Sequence, residues 1–105
     1  MKMATQLISV KKSGKGEATI VFGCGVESMP DLNEMTDDVS IIFWIEGAKE
    51  EKITGHVAST SVNSNSKSAK GKFTIKCPED QNIKTSQLST LCGREMDLNI
   101  EINVD

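Results

Sequence analysis

The sequence predicts a β-rich α+β fold: a compact antiparallel sheet or partly open barrel of about six strands with two short helices. Three observations carry that expectation. The segment 96–104 alternates cleanly, with Met96, Leu98, Ile100, Ile102 and Val104 apolar and Asp97, Asn99, Glu101 and Asn103 polar, the period of a half-buried strand. The segment 39–45 is β-branched and aromatic, apolar on both faces except at Ser40, as a strand covered on both sides would be. Third, the two halves, 5–50 and 52–104, read as loose copies of one strand–helix–strand unit, offset by roughly fifty-six residues. Gly16-Glu17-Ala18-Thr19-Ile20-Val21-Phe22 answers to Gly71-Lys72-Phe73-Thr74-Ile75-Lys76-Cys77, and 39–45 answers to 96–102.

In chain order, 5–11 predicts a first strand, with Ile8 and Val10 on one face. Ser13-Gly14-Lys15-Gly16 predicts a turn, since Gly accepts positive φ at little steric cost. A second strand over 18–22 places Ala18, Ile20 and Phe22 on one face, and Gly23-Cys24-Gly25 is expected to break it. Ser28 then reads as a helix cap with Pro30 in the first turn. Leu32, Met35 and Val39 keep the 3–4 spacing of an apolar helix face ending near Asp37. Gly47-Ala48-Lys49-Glu50 predicts a hairpin turn into a long strand over 52–62, where Gly55 marks a bulge or a close backbone approach. The polar segment 63–68 reads as a hairpin tip and 72–76 as the returning strand, stopped by Pro78. Thr85 or Ser86 is expected to cap a second helix carrying Leu88 and Leu91, with Gly93 as its stop.

The chain has 105 residues, 37% of them apolar, with three Phe, one Trp and no Tyr. That length suits a single domain, 1–105, able to bury roughly 60–70% of its unfolded surface without metal or disulfide. Cys24, Cys77 and Cys92 form an odd set with no C-x-x-C pair, which argues against a disulfide framework and for a reducing compartment. With no apolar run of membrane-spanning length and no leader-like start, the expectation is a cytoplasmic protein.

No catalytic motif stands out. His56, the only histidine, sits in Thr54-Gly55-His56-Val57 with no nucleophile elbow in the sequence. No phosphate-binding glycine loop occurs, and no cofactor is implied. Asp31-Leu32-Asn33-Glu34-Met35-Thr36-Asp37-Asp38 begins like a calcium loop, but Met35 stands where a ligand belongs. The expectation is therefore a protein that is not an enzyme and holds no metal.

Binding is the remaining reading. Glu27, Asp31, Glu34 and Asp38 are spaced 4, 3 and 4, so a continuous helix would align them on one face as an acidic surface for a basic partner site. Phe43 and Trp44 are neighbours and cannot both face one core, which makes Trp44 a candidate partner contact. The alternative is a single-strand nucleic-acid module in which Lys67, Lys70, Lys72 and Lys76 meet phosphates and Phe73 stacks a base. A structural subunit that oligomerises is a third reading. Net charge is −3, from 12 basic and 15 acidic side chains, which leans away from a general nucleic-acid binder.

The ending Leu88-Ser89-Thr90-Leu91-Cys92-Gly93-Arg94-Glu95-Met96-Asp97-Leu98-Asn99-Ile100-Glu101-Ile102 resembles the tails of small phage-encoded accessory proteins. That resemblance implies a viral origin and action in the host cytoplasm. An inhibitor of a host defence nuclease is its concrete form, with no functional residue carried over.

Overall fold

The computed structural model describes residues 1–12, 16–36, 39–63 and 70–103. Six antiparallel strands close into a barrel: β1 (Lys2–Lys12), β2 (Ala18–Gly25), β3 (Ser40–Ile45), β4 (Ile53–Asn63), β5 (Lys70–Cys77) and β6 (Glu95–Ile102). Around the barrel they run β1-β2-β5-β4-β3-β6. Each strand pairs with a neighbour on both sides along part of its length, which closes the sheet.

Two short helices sit at opposite ends. A single 3-10 turn, Val26–Ser28, leads into α1 (Met29–Asn33) at the end where β2 finishes. A second, Glu79–Gln81, leads into α2 (Asn82–Leu88) where β5 finishes, followed by a 3-10 turn over Ser89–Leu91. Met29 and Leu32 plug one end of the barrel; Thr85 and Leu88 plug the other.

The repeat read in the sequence has a counterpart in the topology. Exchanging β1 with β4, β2 with β5 and β3 with β6 leaves the set of neighbouring strands unchanged. The seams that map onto themselves are β2–β5 and β3–β6. The pseudo-twofold passes through the pairs Ile20↔Ile75 and Phe43↔Ile100, which are also equivalent residues in the two halves. Each half carries one irregularity in its first strand, between Leu7 and Ser9 in β1 and between Val57 and Ser59 in β4.

Alternation explains the core. Met3, Thr5 and Leu7 of β1 face inward, and the bulge at Ile8 shifts the phase so that Val10 packs on the core as well. Ile8 itself is turned out. Ala18, Ile20, Phe22, Ile41, Phe43, Phe73, Ile75, Leu98 and Ile100 fill the interior. Phe22 is the hub: it stacks on Phe73 with centroids 5.3 Å apart and meets Phe43 edge-on at 6.3 Å, both favoured aromatic geometries.

Several expectations are corrected. The strand through Gly23-Cys24-Gly25 does not break; it continues to Gly25 because both neighbours, β1 and β5, pair with it there. α1 stops at Asn33, short of Met35 and Val39, and the Thr36 hydroxyl caps the end by donating to the Asn33 carbonyl at 2.9 Å. Asn, Thr and Asp are weak helix formers that compete for such bonds. Ser28 makes no side-chain cap because the preceding 3-10 turn already holds it in helical conformation. Thr85 and Ser86 lie inside α2, which starts at Asn82. Gly55 faces a close approach, whereas the bulge of β4 falls at Ala58. Ile102 is 54% exposed, since β6 there runs past the core. Gly93 does act as the helix stop, at φ +88, and its N–H donates to the Leu7 carbonyl at 2.7 Å. The turn residues 13–15, Asp37 and Asp38, the tip residues 64–69 and Val104 lie outside the described residues.

Candidate functional site

A groove of about 720 Å³ lies on the outer face of four consecutive strands, β5-β2-β1-β6. Strand alternation sends Lys70 and Lys72 outward on β5, Gly23 and Gly25 on β2, Ala4, Gln6 and Ile8 on β1, and Glu95 and Asp97 on β6. The register lines them up. Lys72 pairs with Gly23, Gly23 with Gln6, and Gln6 with Glu95, which makes one row across the sheet. Lys70 beside Gly25, and Ala4 beside Asp97, form the next row. Each row has a cation at one end and a carboxylate at the other, about 14 Å apart at the usual strand spacing. Between them the floor carries Gly23, Gly25 and Ala4, with Gln6 and Ile8 the larger side chains, so the face is hollow on the β2 side.

Gly23 is the informative residue in that floor. A glycine inside a strand costs roughly 0.5–1 kcal/mol relative to alanine. The barrel gives nothing in return at this position. A Cβ there would meet Ile8 Cδ1 at 3.4 Å and the Gln6 carbonyl oxygen at 3.9 Å, ordinary contacts. Gly25 differs: the Glu27 carboxylate lies where its Cβ would go. Glu27 therefore borders the groove and joins it to the acidic end of the barrel.

The predicted acidic stripe is redrawn. Glu27 sits on the 3-10 turn, Asp31 on α1 and Glu34 beyond its end, so no continuous helix carries them at helical spacing. All three are exposed. Among the described residues the one ion pair is Lys2–Glu46 at 3.7 Å, and it does not involve them. Asp38 lies outside the described residues. The nucleic-acid set is divided as well. Lys70 and Lys72 line the groove, Lys76 points outward near the opposite end of β5, and Lys67 lies outside the described residues. Phe73 is not available to stack a base, being 1% exposed inside the barrel against Phe22; its place on β5 is an inward one.

Trp44 belongs to a different place, at the α2 end. Half-buried, it lies under the Lys52 ammonium, 4.7 Å from the ring centroid, a cation–π arrangement. It lines an apolar cavity of about 130 Å³ together with Phe22, Phe43, Leu88, Leu91 and Leu98. The structure thus does not bring Trp44 together with Glu27, Asp31 and Glu34.

No protein-family model, curated protein or solved structure matches the chain.

The remaining reactive groups are dispersed. His56 lies on the outer face of β4, opposite Ser40 and Lys76. Among the described residues no three metal-ligating side chains converge, and no helix is long and apolar enough to cross a membrane. Asn99 donates to the Glu46 carboxylate at 2.7 Å; that bond, then Lys2, lowers the carboxyl's pKa. Burial, then the nearby Glu27 carboxylate, raises the Cys24 thiol.

Cys77 is fully buried, and burial, with Glu17 second, pushes its thiol up to about 12 from 9.0. A thiol that resists ionisation is a poor nucleophile. In folded protein Cys92, which is exposed, should be alkylated by iodoacetamide while Cys77 reacts only on unfolding, as peptide mass mapping would read. The same shift fixes a pH dependence. Between 9 and about 12 the folded state holds a proton that the unfolded state has lost, so stability falls as pH rises through that window. The slope contributed is at most about 1.4 kcal/mol per pH unit, and Cys77→Val should remove it in denaturation curves taken across that range.

Proposed function

We propose that the protein is a non-enzymatic binding protein whose groove between Lys70/Lys72 and Glu95/Asp97 receives a polypeptide segment of a protein partner. The observation that carries this is Gly23. Its missing side chain serves no packing need of the barrel, and a strand-interior glycine suits the close approach of another backbone. The opposed charges set the segment's orientation, with acidic groups toward Lys70 and Lys72 and basic groups toward Glu95 and Asp97. Such complementarity raises the association rate and makes it salt-dependent. An inhibitor that occupies the basic site of a nuclease is one concrete form of this reading, in line with the phage-like ending.

The mixed charge of the walls favours a polypeptide over a nucleic acid, whose phosphates would meet Glu95 and Asp97. Gly23→Val separates folding from binding. It replaces glycine by a strand-favouring residue whose nearest obstacle is the end of the exposed Ile8 side chain, which can turn away from the added methyls, so the melting temperature should hold or rise. Capture from host lysate, followed by titration of the recovered protein at several salt concentrations, should show binding at least tenfold weaker for Gly23→Val and for Lys70→Glu/Lys72→Glu. Unchanged affinity in both variants would end the proposal. Salt-sensitive binding of a labelled single-stranded oligonucleotide, lost in the lysine variant alone, would establish the nucleic-acid alternative instead.

A further inference from the structure

We propose that the cavity beneath α2 is a preformed binding site for one small, uncharged, apolar molecule of about benzene size. Its walls are Phe43 and Leu98 of the barrel, Leu88 and Leu91 from α2 and the turn after it, and Trp44 and Ala48 on the β3–β4 side. The polar side chains in its lining are Glu51, Lys84 and Gln87. At about 130 Å³ it approaches the roughly 150 Å³ apolar cavity that stays dry and takes up benzene in a well-studied case.

The site is held open by bonds that fasten α2 to the barrel without filling the space beneath it. The Lys84 ammonium donates to the Lys52 carbonyl at 2.7 Å. The Thr54 N–H donates to Gln81 Oε1 at 3.2 Å. The Lys52 ammonium in turn lies over the Trp44 ring, 4.7 Å from its centroid. These contacts fix the helix at a set height, so the core cannot collapse into the void. The lining atoms lack partners on that side and lose dispersion contacts. A ligand that restores those contacts binds without first ordering the protein, which is the usual condition of a small-molecule site. Away from Glu51, Lys84 and Gln87 the walls are apolar and offer no partner for a charged head, so an uncharged ligand is selected. Glu51, Lys84 and Gln87 belong to the β3–β4 turn and to α2, which puts the entrance between those two segments.

Trp44 is the only tryptophan, so ligand entry has a built-in reporter. Benzene titrated into the intact protein should shift the Trp44 indole and the Leu88 and Leu91 methyl resonances along a saturating isotherm. At tenfold excess over the dissociation constant the melting temperature should rise by about 5 °C or more. Ala48→Leu fills the entrance and should abolish the saturable shifts; Leu91→Phe, which fills the space from the helix side, is the second variant if the first does not fold. Gly23→Val, in the distant groove, should take benzene as the parent protein does, which keeps this site separate from the groove. Shifts that grow linearly with benzene, or saturable shifts that survive both filling variants, would overturn the proposal.

Discussion

Phe22→Ala is expected to destabilise the protein by about 3–5 kcal/mol, the usual range for truncating a buried Phe. Three features put it at the upper end. The side chain is fully buried. It sits at the centre of the barrel's only aromatic cluster among the described residues, stacked on Phe73 and edge-on to Phe43, and each such pair adds about 0.5–1.5 kcal/mol beyond area burial. It also comes from a strand locked between β1 and β5, so the walls cannot move in to fill the hole. A domain of this size has about 5–15 kcal/mol in total, so the variant should be marginal at room temperature. Its melting temperature should fall by on the order of 15–30 °C. Phe22→Leu, which keeps most of the volume, should lose far less. Denaturant curves for the two would read the difference as a shift in midpoint at constant slope; equal midpoints would remove Phe22 from the centre of the core.

The strands were legible where alternation was undisturbed. β6 shows its buried Leu98 and Ile100 directly, and β2 shows Ala18, Ile20 and Phe22. The helices were legible as apolar spots but not as lengths. Leu32, Met35 and Val39 keep helical spacing, yet only Leu32 lies in α1, because capping by Thr36 competes with propagation and no sequence period records that competition. A barrel was one of the two arrangements the sequence allowed, but its full closure was not legible. It depends on the seams β1–β6 and β2–β5, which join residues far apart in the chain, and local patterns carry no register across such distances.

The groove illustrates the same limit from the functional side. Lys70 and Lys72 stood out as charges, but their opposite numbers did not. Asp97 reads only as part of the polar side of an alternating strand, and Glu95 as a residue ahead of it, until β6 is placed with two strands between it and β5 in the sheet order. Gly23 and Gly25 carried a readable signal, two glycines one residue apart at the end of an apolar strand. Gly-x-Gly there suits either a chain break or a hollow sheet face, and only the two flanking partners of β2 decide between them. Phe73 shows the reverse error. Its lysine neighbours suggested a stacking platform, yet in a strand the residues on either side of an outward pair point inward, and Lys72 outward requires Phe73 in the core. Trp44 sits at the opposite end of the barrel from Glu27, Asp31 and Glu34, so a partner that met all four would span two surfaces, not one.

Gly55→Ala is the other large effect expected, and it comes from a single methyl group. Gly55 faces the barrel interior from β4, and a Cβ there would lie 2.7 Å from the Lys76 carbonyl oxygen, with Cys77 Sγ and Ile75 Cγ2 both at 3.1 Å. The nearest obstacle is backbone. Lys76 is held in register on both sides, opposite His56 in β4 and Thr19 in β2, so its carbonyl cannot swing aside without parting two seams of a closed sheet. Overpacking that the surroundings cannot absorb costs about 1–3 kcal/mol or more, and the rigid neighbour places Gly55→Ala at or above the top of that range. Gly71→Ala is the control. A Cβ at that position also collides, but with Met29, whose sulfur lies in the way. Met is unbranched and adapts by rotating, so that variant should lose less than about 1.5 kcal/mol. Adding Cys77→Ala to Gly55→Ala relieves the sulfur contact and leaves the carbonyl in place, so it should not restore stability. Chemical denaturation of the three variants decides the matter. Equal losses at the two glycines, or rescue by Cys77→Ala, would mean that the β4–β5 seam yields where a closed barrel should hold it fixed.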